Sequence, residues 1–230
     1  MLVCNTPGAN ARSVSELALG LALAAARLIP AADWAVRNGS RGFREDHAFQ
    51  ELFGKTALIV GWGATGAGLG QMLDRAFGMR VIVYSPRNPE TGKFERVSVL
   101  AEGLAIADLV SLDTPLRDET RGLFNASAFA AMKRGAILVN TARAGLVDEA
   151  ALAKALADGT IAAAGLDVYS PTAPMGALAT SGRVIFTPHL GGTTEEALQR
   201  VTTGAARHVI EALEGGRPAT TIEFHPEAGL

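Results

Sequence analysis

The run Gly61-Trp-Gly63-Ala-Thr-Gly66 follows four apolar residues, Ala57-Leu-Ile-Val60, and opens a segment of helical period; no other feature so narrows the folds open to this chain. A short, wholly apolar run suits a strand buried on both faces, as in a parallel sheet. Glycines in this spacing allow a tight turn, close approach of backbone to a pyrophosphate, and close packing of helix on strand. The first peptide groups of the helix then face the anion. A merely tight strand-to-helix turn is the plain alternative. A second strand at the right distance favours a dinucleotide site, with Gly61, Gly63, Ala64, Thr65 and Gly66 in its cradle.

After the Asn38-Gly39-Ser40-Arg41-Gly42 turn, short β-like runs alternate with helix-period segments, the pattern of parallel strands joined by crossover helices. Strands are expected near Thr56 to Val60, Arg80 to Tyr84, Leu109 to Leu112, Ala136 to Asn140, Ala162 to Asp167 and Val184 to Phe186. Helices are expected near Ala64 to Phe77, Val99 to Ile106, Ala126 to Met132 and Glu149 to Ala157. The implied class is α/β, a doubly wound parallel sheet. Ahead of it, Ser13-Val-Ser-Glu16 has capping-box spacing and predicts a helix start. From Val14 to Ile29 that helix is apolar on nearly every face, so it must be covered all round. Thr193-Thr-Glu-Glu196 has the same spacing. It precedes an amphipathic helix whose Leu198, Val201, Ala205, Val209 and Ala212 share a face, until Gly215-Gly216 stops it.

The charges, 21 basic against 23 acidic with no long run of one sign, lack the electrostatic footprint of a nucleic-acid binder, so the expected partner is small. A single cysteine, Cys4, excludes an intrachain disulfide and a cysteine-cluster zinc site, and fits a reducing compartment. The four histidines show no metal-ligand spacing, and no metal is expected. The apolar run Leu17 to Ala26 falls short of the ~18 residues that a membrane span needs. With Glu16 abutting it, the run also reads poorly as a secretory signal. A cytoplasmic protein without a membrane partner is the expectation.

About twenty residues beyond Gly66, an NAD site usually presents a carboxylate to the ribose 2′-hydroxyl. Here Tyr84-Ser-Pro-Arg87-Asn88 offers the hydroxyl of Ser85 and the guanidinium of Arg87 instead. Such a pair accommodates a 2′-phosphate, so NADP(H) is favoured, with NAD(H) possible. The plain alternative is that Arg87 is a solvated loop residue.

At this point the sequence resembles the D-isomer-specific 2-hydroxyacid dehydrogenase family, from Asn5 to about Arg217. The segments that carry the resemblance are Asn5-Thr-Pro-Gly-Ala-Asn10 with Ser13-Val-Ser-Glu16, Gly54-Lys-Thr with the glycine turn, and Phe77-Gly-Met. Further along come Val110-Ser-Leu-Asp-Thr-Pro-Leu116 with Glu119-Thr-Arg-Gly-Leu123, and Gly135-Ala-Ile-Leu-Val-Asn-Thr-Ala-Arg143 with Gly145-Leu-Val-Asp-Glu149. Ala164-Gly-Leu-Asp-Val168 and Thr187-Pro-His-Leu-Gly-Gly192 complete the set.

The resemblance implies that a small 2-keto acid is reduced, or a 2-hydroxy acid oxidised, with NAD(P)(H). Arg143 would hold the substrate's carboxylate and keto oxygen through its fork of donors. His189 would be the general acid of reduction and the base of oxidation, tasks suited to an imidazole. Thr114, Pro115, Thr141, Ala142, Arg143, His189, Gly191 and Gly192 would surround the cofactor, and Asp167 would face the nicotinamide carboxamide. The family places a glutamate beside the histidine where this chain has Thr172, a glycine where it has Ala144, and in many members a histidine where it has Asp113. The Thr172 departure puts the acid–base pair in question.

The resemblance further implies a homodimer through the helix beginning at Ser13. Family chains begin with a further stretch of roughly 100 residues, the size of a small domain, which forms most of the substrate domain. Residues 1–12 accordingly read as a remnant or hinge of that domain, 13–192 as the dinucleotide-binding Rossmann domain with its dimerisation helix, and 193–230 as a C-terminal helix and tail returning toward the substrate domain. Weak turnover by the chain alone is expected. The rival from another class is a dinucleotide-sensing or assembly module without turnover; a Rossmann methyltransferase would leave the Arg143 and His189 segments unexplained.

Overall fold

In the computed structural model, residues 2–170 and 176–222 are described. Every residue of Ala57–Val60 is buried, and their side chains alternate between two cores. Leu58 and Val60 join one core, Ala57 and Ile59 the other. A strand apolar on both faces needs helices on both sides, and the sheet is built that way. Its seven strands, all parallel, run in the order β3-β2-β1-β4-β5-β6-β7. They are β1 (Thr56–Val60), β2 (Arg80–Tyr84), β3 (Glu95–Val97), β4 (Leu109–Leu112), β5 (Ala136–Asn140), β6 (Ile161–Leu166) and β7 (Val184–Phe186).

The helices are α1 (Ala11–Arg27), α2 (Ile29–Arg37), α3 (Phe43–Asp46), α4 (Ala64–Phe77), α5 (Leu100–Ile106), α6 (Ala126–Ala131), α7 (Glu149–Ala157), α8 (Gly176–Ala179) and α9 (Glu195–Leu213). α1 and α4 pack on one face of the sheet with Leu69, Leu73 and Val81. Leu104, Phe129 and Leu152, from α5, α6 and α7, fill the other face.

Both capping-box expectations are corrected. α1 starts at Ala11, so Ser13 lies within its first turn and its hydroxyl donates to the Gly191 carbonyl (2.6 Å) rather than to the helix end. At α9 the cap is Thr194, whose hydroxyl accepts from Ala197 N; Thr193 instead donates to the Leu190 carbonyl. The long first helix also breaks early. Leu28 adopts φ +49°, in the left-handed region, and α2 continues in a new direction.

This break redistributes the apolar surface. Leu17, Leu19 and Leu23 of α1 are half-buried, whereas the most uncovered large apolar residues near it are Trp34 and Val36 of α2 and Phe53 of the following loop. α9 buries only Ala197, so the apolar face read from Leu198 and Val209 stays exposed, as do Ile210 and Leu213. The two ends of the described chain pair with each other: Cys4 bridges Thr221, Ile222 N donates to the Val3 carbonyl, and Arg200 of α9 donates to the Ala9 carbonyl.

Candidate active site

Every candidate residue within the described segments lies just beyond the carboxyl end of a strand. In an open parallel sheet, ligands bind there, at the point where strand order reverses. Here that point is the β1/β4 junction, because β1 leads outward to β2 while β4 starts the opposite half.

The glycine turn after β1 is tight. Gly61 has φ +104°, and a Cβ built on it would lie 2.7 Å from the Asp113 carbonyl and the Thr114 nitrogen. A Cβ on Gly66 would come within 2.2 Å of the Gly61 carbonyl, the contact that sets α4 hard against β1. Gly63 differs, since a Cβ there meets nothing. The turn is therefore closed within and open outward, as an anion seated on the first turn of α4 requires. Asn88 steadies it by donating to the Trp62 carbonyl (2.6 Å), and Gly61 N donates to the Tyr84 carbonyl.

Two hollows flank this turn. One, of about 440 Å³, runs over Gly61 and Trp62 to Ser85, Arg87 and Glu119. The other, of about 640 Å³, runs from Thr65 to Asn10, Thr141, Ala142 and Arg143. Asp113, Thr114 and Pro115 line both, which makes the pair one cleft with two arms, the shape that a dinucleotide folded over a glycine turn would fill. Ser85 is buried and Arg87 exposed, but Arg87 is not merely solvated. Its guanidinium bonds Glu119 at 2.9 Å, both side chains being mostly exposed.

Arg143 and His189 stand beyond β5 and β7, both exposed, and each sits on a bracket made by a buried side chain. Beneath Arg143, Asn140 donates to the Arg143 carbonyl (2.9 Å) and accepts from Ala142 N (3.0 Å). The Arg143 guanidinium folds back onto the Ala142 carbonyl. Below His189, Asp167 is 1% exposed and its carboxylate receives three donors: Thr187 Oγ1 at 2.6 Å, Leu190 N at 2.7 Å and Gly191 N at 2.9 Å. The Asp167 carbonyl also accepts from His189 N. These bonds hold His189 at φ +56°, a conformation costly for a residue with a Cβ, which persists only where the surroundings enforce it.

The carboxylate of Asp167 is thus the keystone of the His189 loop. Gly191, buried, and Gly192 close that loop against α1, through Val14 and Asn10. Thr172 lies outside the described residues. Sequence reasoning missed Asn140, Glu119 and the bracketing serines of α1. Ser15 donates to the Thr65 carbonyl as Ser13 does to Gly191, so one helical turn touches both the glycine turn and the histidine loop. A serine pair two residues apart carried that signal, but it read as a cap.

Among the described residues no single helix is long and apolar enough to cross a membrane. The sequence profile of the D-isomer specific 2-hydroxyacid dehydrogenase NAD binding domain matches residues 19–191. D-3-phosphoglycerate dehydrogenase of Mycobacterium tuberculosis is 42% identical over 235 residues, covering 99% of this chain and 42% of that one. Hydroxypyruvate reductase of Thermotoga maritima is 40% identical over 203 residues, covering 86% of this chain and 66% of that one. The crystal structure of D-lactate dehydrogenase with NAD+ from Lactobacillus jensenii superposes with a TM-score of 0.87 at 29% identity, over 97% of this chain and 72% of that one. This chain thus spans about two fifths of the mycobacterial relative's length. Glycine turn, Arg143 loop and His189 loop, set on a doubly wound parallel sheet, agree with these matches: the chain belongs to the D-isomer specific 2-hydroxyacid dehydrogenase family.

Proposed function

We propose that the chain is the dinucleotide-binding part of an enzyme that interconverts small 2-keto and 2-hydroxy acids. The observation that carries this reading is the pair of brackets, Asn140 under Arg143 and Asp167 under His189, at the carboxyl ends of the neighbouring strands β5, β6 and β7. Gly61, Gly63, Ala64, Thr65 and Gly66 would hold the pyrophosphate. Thr114, Pro115, Thr141, Ala142, Gly191 and Gly192 would line the rest of the cofactor's path. A bound nicotinamide supplies or accepts the hydride at the substrate carbon. Arg143 binds the substrate carboxylate and polarises the keto oxygen through its fork of donors. His189 gives that oxygen a proton during reduction and removes it during oxidation. The role of Asp167 toward a carboxamide, and of Thr172 in the place of the family's glutamate, belong to the same proposal.

NADP(H) is the favoured cofactor. Arg87 would exchange Glu119 for a 2′-phosphate beside Ser85. The exposed ion pair is worth about 0–1 kcal/mol, against ~1.5–3 kcal/mol for hydrogen bonds to a charged group. Calorimetric titration with NADPH and NADH tests this. NADPH should bind about tenfold more tightly or better, and Arg87→Ala should remove the difference while leaving NADH affinity nearly unchanged. Equal affinities in the parent chain would refute the preference.

The chain is further proposed to form a homodimer through α1 and α2, whose Trp34 and Val36 are uncovered, and to work in the cytoplasm. Residues 1–12 and α9 with its tail, joined where Val3, Cys4 and Ala9 meet Ile222, Thr221 and Arg200, would lead to the substrate domain. A second reading, a dinucleotide-sensing or assembly module with little turnover, is favoured by Thr172. NAD(P)H oxidation with glyoxylate or hydroxypyruvate separates the two.

A further inference from the structure

Asp113 is the residue at the junction of the cleft for which the dehydrogenase chemistry has no use. Its backbone abuts Gly61, and its Cβ lies 3.1 Å from where one on Gly66 would be, so the carboxyl is wedged against the glycine turn. One oxygen accepts a hydrogen bond from Ser111 (2.8 Å); the other, Oδ1, is buried without a partner. Just past β5, Thr141 occupies the position matching Asp113, one step past the Leu112–Asn140 pair, and its hydroxyl is likewise buried and unpartnered.

Among the described residues, the surrounding elements offer no countercharge at bonding distance. Ser111 on β4 and Thr141 just past β5 are neutral, as are Gly61 to Gly66 and the α1-side residues Asn10 and Val14. The charged groups lining the two arms are Arg143, Arg87, Arg117 and Glu119, all exposed, and none bonds the Asp113 carboxyl. His189 lies outside both arms. Burial pushes the carboxyl up to about 7, the Ser111 bond acting weakly in the opposite direction. A pyrophosphate over the same turn adds negative charge and must raise it again.

We propose that Asp113 makes dinucleotide binding proton-linked: the carboxyl is protonated whenever a pyrophosphate sits on the glycine turn, so binding at and above neutral pH draws a proton from solvent. This rests on the dinucleotide-binding part of the proposed function and on none of its chemistry. The unbonded Oδ1 is where that proton sits, with no cation bonded to it.

NADH is the suitable probe, because its pyrophosphate does not titrate near neutrality and it lacks the 2′-phosphate. Calorimetric titration at about pH 8 in buffers of different ionisation enthalpy, HEPES and Tris, reads the protons taken up per dinucleotide. The parent chain should take up more than about half a proton, and its NADH affinity should fall by up to about tenfold per pH unit above 7. Asp113→Asn should take up less than about a tenth of that and keep its affinity across the range. If the asparagine variant does not fold, Ser111→Ala, which removes the one bond favouring the charged form, should move the onset of uptake to higher pH. NADH binding without uptake, or equal uptake in Asp113→Asn, overturns the proposal alone. Absence of NADH binding even at about pH 6, where Asp113 is protonated already, overturns the dinucleotide reading and the proposal with it.

Discussion

Replacing Asp167 by asparagine keeps the shape of the side chain and removes one of its acceptors, which isolates the bracket under His189. Three donors converge on the carboxylate, at 2.6, 2.7 and 2.9 Å, and the group is 1% exposed, so no water replaces what is lost. An amide turned to serve Thr187 and Leu190 sets its NH2 against Gly191 N, leaving a buried N–H without an acceptor at a cost of about 1–3 kcal/mol. The two surviving bonds also change from charge-assisted to neutral. Relief of a buried charge works in the other direction, but three convergent donors already stabilise that charge. The expected net loss is about 2–4 kcal/mol, which for a chain of this size lowers Tm by roughly 5–15 °C. Thermal unfolding followed by circular dichroism at neutral pH measures it. A variant melting within about 2 °C of the parent would show that the loop is held by something other than the carboxylate, and the keystone argument would fail.

Gly66→Ala forces a methyl group toward the Gly61 carbonyl, from a built separation of 2.2 Å, so α4 must move off the turn; overpacking of about 1–3 kcal/mol and at least about tenfold weaker NADH binding are expected, by melting and by calorimetry. Ser13→Ala removes a buried 2.6 Å bond to the Gly191 carbonyl and should cost about 1–2 kcal/mol in urea unfolding. Asp113 has a folded pKa raised above its unfolded value, so its contribution is complete below about pH 4 and declines by up to ~1.4 kcal/mol per pH unit until it is lost near 7. Asp113→Asn should accordingly gain on the parent chain between about pH 5 and 7; a constant difference in unfolding free energy would contradict this.

The strands that carry the cleft were legible because each is a short apolar run closed by residues that cannot continue it, and β1, β2, β4, β5 and β7 stand where the pattern puts them. The third strand escaped because Glu95 and Arg96 are exposed on an edge, where burial imposes no apolar signature. α2 escaped because Leu28 looks like one more apolar residue of a long helix, although its backbone turns left-handed. Catalytic candidates were legible through local motifs, whereas their brackets were not. Asp167 and Gly191, or Arg87 and Glu119, lie more than twenty residues apart in sequence, and no periodicity links them. Serines at Ser13 and Ser15 satisfied a local rule and served a distant one.

The first turn of α1 is bonded to the glycine turn through Ser15 and to the histidine loop through Ser13, and the same helix runs on to the break at Leu28. Anyone recombining this chain with a relative inherits that linkage. A crossover between residues 15 and 61 joins one parent's helix to the other's two loops, mismatching both seams at once. One placed before Ala11, within the segment that pairs with the chain's other end, leaves both seams intact and moves the mismatch to that end pairing, Val3 and Cys4 with Ile222 and Thr221 and Ala9 with Arg200. Modular exchange of whatever lies ahead of α1 is therefore the substitution that this architecture tolerates best.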